Sequence, residues 1–98
     1  MSAPIKPKAR ADLATVVLDG EAVIYDSENE ELHHLNQTAT LVLAMCEGQA
    51  TIREIAAEIS QAFGVPEAEV EPQVRTLLRD LRKAKLLEPS RNGMRKHG

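Results

Sequence analysis

Residues Leu32 to Gly48 read L-H-H-L-N-Q-T-A-T-L-V-L-A-M-C-E-G, and this junction limits the possible folds more than any other segment. It reads as a strand end, a polar corner, one short helix and a glycine stop. In a strand over Glu31 to Leu35, Leu32 and His34 share one face while His33 and Leu35 share the other. Asn36 can cap the next helix, because its side-chain oxygen can accept from a first-turn N–H. Ala39, Val42, Leu43 and Cys46 then fall on one helical face at i, i+3, i+4, i+7 spacing. Gly48 suits the C′ position.

The segments on either side extend the pattern. Leu13 to Leu18 is rich in β-branched residues, and Asp19-Gly20 is a strong hairpin signal before a second strand over Glu21 to Tyr25. Asp26 to Asn29 reads as a polar turn. The expectation is an antiparallel meander whose third strand is an edge unless something covers it. Downstream, Thr51-Ile52-Arg53-Glu54 is a capping-box sequence opening a second helix. Ile52, Ile55, Ala56, Ile59 and Phe63 form its expected buried stripe, and Gly64 ends it. The third helix carries Val70, Val74, Leu77, Leu78 and Leu81. Pro66 suits its first turn. Pro72 removes one helical hydrogen bond. Either a short turn precedes a main helix starting near Glu71, or the helix is kinked; the first is the expectation. The fold class is therefore α+β, a three-stranded antiparallel sheet followed by three helices.

With 98 residues there is room for one domain, expected over residues 12–88. Residues 1–11 and 89–98 carry cations, prolines and few large apolar groups, and read as flexible basic tails. Together they hold six basic residues and no acid, so the middle of the chain is −9. Tyr25 and Phe63 are the only aromatics, so the core must be aliphatic. A single cysteine, Cys46, excludes an internal disulfide and points to a reducing, cytoplasmic setting. No apolar run approaches the roughly 20 residues that cross a bilayer, so no membrane partner is expected.

Little in the chain resembles catalytic machinery. Cys46 lies on an apolar helix face, where cysteine is usually an inert small hydrophobe. His33 and His34 point to opposite faces of a strand and do not readily share a metal ion. No nucleophile–base spacing or glycine-rich phosphate loop stands out. The expectation is no enzyme activity, no cofactor and no metal. The third helix is more suggestive. With Val74 at the origin, Leu78 lies at roughly 40°, and Arg82, Arg75 and Arg79 at roughly 80°, 100° and 140°. The arginines thus line one edge of the apolar face. They can be a solvated flank, with cations near a helix C-terminus. They can equally be the rim of a groove with an apolar floor, suited to an acidic, partly apolar ligand.

The order of elements, together with Asp19-Gly20-Glu21, Leu35-Asn36, Thr38-Ala39, Cys46-Glu47-Gly48, Ile52 with Ile55-Ala56, and Leu78 through Leu81 to Leu86-Leu87, resembles the PqqD-like family. These are the peptide-recognition domains, or RiPP recognition elements, of ribosomal-peptide modification pathways. The resemblance covers about residues 12–88. Gln37 stands where many relatives have proline. The family implies a winged helix-turn-helix-like fold with the sheet placed first. It also implies a non-enzymatic peptide chaperone whose precursor's leader peptide adds as a strand beside strand three and packs on helix three. Carried onto this chain, the strand is Glu31, Leu32, His33, His34 and Leu35. The helix wall is Val74, Arg75, Leu78, Arg79 and Arg82. The expected partners are a precursor peptide and a separate modifying enzyme (a radical-SAM protein, a cyclase or a protease), with the domain itself a monomer or weak homodimer.

Two other readings compete. Helices two and three could form a DNA-binding helix-turn-helix. Against that, the body is −9, DNA affinity needs cationic neutralisation, and no β-hairpin wing follows helix three. The segment G-V-P-E-A-E is also longer than the usual turn, and acidic. Alternatively, an adaptor could pair its open strand edge with another protein, or with its own copy, and bind no leader.

Overall fold

The computed structural model describes residues 5–89. Strands β1 (Ala14–Leu18), β2 (Glu21–Asp26) and β3 (Glu31–Leu35) precede helices α1 (Gln37–Ala44), α2 (Ile52–Phe63) and α3 (Glu67–Lys83). The sheet is an antiparallel meander in the order β1-β2-β3. The α+β architecture inferred from the sequence is the one observed. Asp19 and Gly20 both take positive φ, as a type I′ hairpin turn does, and Leu18 pairs with Glu21 across it.

One face of β2 builds the core. Ala22, Ile24 and Asp26 are buried while the intervening Val23 and Tyr25 are exposed. Val42 of α1, Ile55 and Ala56 of α2, Val74, Leu78 and Leu81 of α3, and Leu86 complete the cluster. Each buried Val, Ile or Leu side chain contributes about 1.5–3 kcal/mol on burial, and no aromatic takes part in the cluster. Phe63 departs from the expected stripe: it is 64% exposed, as the last residue of α2.

Helix α1 is the keystone between sheet and helices, packing on β2, β3 and α3. Asn36 Oδ1 accepts from the Ala39 N–H at 2.9 Å, the cap expected from the sequence. Thr40 Oγ1 accepts from the Ala22 N–H and donates to the Leu35 carbonyl, so one hydroxyl joins α1 to two strands. The capping box of α2 forms between Thr51 and Glu54, and Gly64 caps its C-terminus in the left-handed conformation.

Three expectations are corrected. Helix α3 runs unbroken from Glu67, with Pro66 as its N-cap and Pro72 inside it, rather than starting near Glu71. Pro72 lies in the second turn, past the unpaired N–H groups of the helix start, so it forfeits one main-chain hydrogen bond. Gly48 is not the C′ residue of α1, because Met45 is the C-cap. Instead Gly48 takes φ +84° and donates its N–H to the Pro7 carbonyl, and a Cβ there would lie 3.2 Å from Lys8 Cδ.

That contact belongs to the third correction. Residues 7–10 do not form a flexible tail. The Ala9 N–H donates to the Cys46 carbonyl, and the Arg10 N–H donates to that of Leu86. The Glu88 N–H donates to the Lys8 carbonyl at 2.7 Å. This strap runs between Cys46–Gly48 and Leu86–Glu88, bridging Lys8 to Glu47 and Ala9 to Leu87. Residues 1–4 of the expected N-terminal tail, and 90–98 of the C-terminal one, lie outside the described residues.

Candidate functional site

Strand β3 pairs with β2 on one side; among the described residues no strand pairs with its other side. That outer edge carries main-chain N–H and C=O groups available to a further strand. The register sets the direction of each side chain. His33 lies opposite Ile24 and Glu31 opposite Asp26, so both face the helical side, as does Leu35 opposite Ala22. Leu32 pairs with Tyr25 and His34 with Val23 on the open side. Leu32 is 70% exposed. His34 Nε2 lies 3.1 Å from Glu21 Oε1. His33 is mostly covered; its Nε2 is buried and makes no hydrogen bond, with Glu31 Oε1 3.4 Å away.

Strand β1 is also an edge, but its packing partner is β2, whereas β3 also packs on α1. A strand added beside β3 therefore lies near the helical layer.

The α3 residues divide into two sets. Val74 and Leu78 are buried in the core, 2% and 4% exposed, against α1 and α2. Both lie beneath the surface of the helix. Arg75, Arg79 and Arg82 are exposed. Arg75 is already engaged: its Nη2 donates to Glu71 Oε2 at 2.8 Å one turn earlier. Arg79 and Arg82 join no ion pair among the described residues, leaving two guanidinium groups near the C-terminal end of α3 for an external anion.

Sequence reasoning missed a second charged centre. Asp26, expected in a turn, ends β2 and is buried. Its carboxylate accepts from Arg10 at 2.8 Å, from the Glu28 and Asn29 N–H groups and from Asn29 Nδ2. Arg10 also bonds Asp12, Glu28 and the Lys85 carbonyl. These hydrogen bonds, Arg10 foremost, hold the Asp26 carboxyl well below the usual carboxylate range despite its burial. The only local signal was Asp26-Ser-Glu-Asn, an Asx-turn sequence. This clasp joins the strap, the β2–β3 turn and the end of α3, and fixes the frame that carries β3.

Cys46 is buried and donates to the Val42 carbonyl, and burial pushes its thiol up to about 11. Among the described residues, no three His, Cys, Asp or Glu side chains gather as a metal site. No helix among them is long and apolar enough to cross a membrane.

Comparison with known proteins gives the same architecture. The family model described as coenzyme PQQ synthesis protein D (PqqD) matches residues 21–87. The structure of TbiB1 in complex with the TbiA(beta) leader peptide superposes with a TM-score of 0.73 at 23% identity, covering 83% of this chain and 94% of that one. Lasso peptide synthetase B1 complexed with the leader peptide gives 0.73 at 19% identity, covering 86% and 99%. At these identities the two structures establish the fold. No curated protein matches the sequence.

Proposed function

The chain belongs to the PqqD family, and from that premise we propose that it is a non-enzymatic peptide chaperone. It binds the leader of a ribosomally made precursor and presents it to a separate modifying enzyme. The observation that carries this reading is the open outer edge of β3, next to α1. A leader strand pairing with Glu31–Leu35 satisfies that edge, main-chain bonds supply affinity, and flanking side chains supply selectivity. That two structures of the same fold, TbiB1 and lasso peptide synthetase B1, hold leader peptides supports the reading.

In this reading, His33 and Leu35 meet the helical side of the bound strand, and Leu32 and His34 its open side. Arg79 and Arg82 contact leader carboxylates, and Arg75 contributes once it leaves Glu71. Val74 and Leu78 act indirectly, by fixing α3. The domain supplies position rather than chemistry; the radical-SAM protein, cyclase or protease supplies the reaction.

Calorimetric titration of the cognate leader tests this. The expected result is saturable one-to-one binding with no change in the peptide's mass. A leader that does not bind, together with a salt-sensitive shift of duplex DNA, would replace this reading with the regulator.

A further inference from the structure

The open face of the sheet is apolar, and no element among the described residues packs on it. Val16 of β1 pairs with Val23 of β2, and Val23 with His34 of β3. Leu18 and Leu32 lie on the same face, 69% and 70% exposed, with Val16 at 58% and Tyr25 at 44%. A contiguous apolar surface of this kind on a small domain marks an interaction site.

Charge selects the occupant. Residues 11–35, which contain the whole sheet, carry seven carboxylates and no lysine or arginine. Arg10 engages three of them, Asp12, Asp26 and Glu28. Asp19 and Glu21 remain at one end of the face, by the β1–β2 hairpin, and Glu30 at the other, in the β2–β3 turn. A second copy docking here would set these acidic rims against each other. A partner with an apolar centre and a rim of lysine or arginine would gain both burial and charge complementarity. Leu32 and His34 belong to this face and also to the β3 edge, so a partner seated here borders a peptide bound beside β3.

We infer that the open face formed by Val16, Leu18, Val23, Tyr25 and Leu32 docks the modifying enzyme through a basic-rimmed apolar patch. The partner's identity rests on the leader-binding reading; the face and its charge do not.

The test uses the enzyme that modifies the cognate precursor, purified separately, and the doubly substituted variant Val16→Thr/Val23→Thr. Threonine keeps the strand preference while removing apolar surface. The inference predicts that the variant binds the enzyme at least tenfold more weakly, with leader affinity unchanged. It also predicts that wild-type binding to the enzyme weakens as salt rises, and that the wild-type chain alone sediments as a monomer. Undiminished enzyme binding by the folded variant would overturn the inference. So would salt-independent enzyme binding, or a wild-type dimer that the two substitutions dissolve. Should the variant not fold, 3-fluorotyrosine at Tyr25, the only tyrosine, keeps the wild type testable. Its fluorine signal must shift on enzyme addition, and an unchanged signal under saturating enzyme overturns the inference. Loss of leader binding in the wild type would instead sink the chaperone reading while leaving the docking result to stand.

Discussion

Arg10 Nη1 donates to Asp26 Oδ2 at 2.8 Å, joining the N-terminal strap to the end of β2 across sixteen residues of sequence. Asp26 is buried and Arg10 nearly so, so each needs the other. Asp26→Asn should lower the urea midpoint more than Asp12→Asn does, because Asp12 is half exposed.

The same pair sets a pH dependence. The folded carboxyl of Asp26 is depressed below its unfolded value, so its contribution is complete above roughly pH 4. It declines as pH falls below that towards the folded value. Acid titration of stability should show a steeper loss below about pH 4 in the wild type than in Asp26→Asn. Equal slopes would mean that the clasp does not couple to folding.

Pro72 lies inside α3 and forfeits one main-chain bond. Pro72→Ala restores that bond and helix propensity, partly offset by greater freedom in the unfolded chain. Stability should rise by about 1–2 kcal/mol in urea unfolding. A fall would show that the proline shapes the helix in a way the core requires.

Thr51 and Glu54 exchange hydrogen bonds at 3.1 and 2.8 Å. Thr51→Ala removes the side-chain acceptor and should cost about 1 kcal/mol. Glu54→Gln, which keeps an acceptor oxygen, should cost less.

The three arginines should rank unequally in leader binding. Arg79→Ala and Arg82→Ala should each weaken it by about two- to fivefold at low salt, the range of exposed charge contacts. Arg75→Ala should do less, since Glu71 already competes for that guanidinium. Equal affinities at every salt concentration would remove the arginines from the site.

Local chemistry made much of this legible in the sequence. The bounds of β3, the Asn36 cap and the α2 capping box depend on residues within a few positions of each other. The Asp19-Gly20 turn depends on two adjacent backbone conformations. What remained hidden depends on distant partners. The strap and the clasp bring Arg10 to Asp26 and Lys85, and no periodicity encodes that meeting. Helical spacing also identified the apolar stripe of α3 without its depth: Val74 and Leu78 sit where α1 and α2 close over them. Pro72 misled because burial of Val70, Val74, Leu78 and Leu81 along α3 outweighs the loss of one main-chain bond. The site was legible as an edge strand and an arginine flank. The engagement of Arg75 by Glu71 and the orphaned His33 nitrogen required side-chain geometry.

Amide hydrogen exchange with and without the cognate leader tests the central claim most directly. Strand addition predicts that the outward amides of Glu31–Leu35 slow by at least tenfold on leader binding while those on the outer edge of β1 do not change. Leader binding that leaves the β3 amides exchanging as before, or that protects β1 instead, would contradict it.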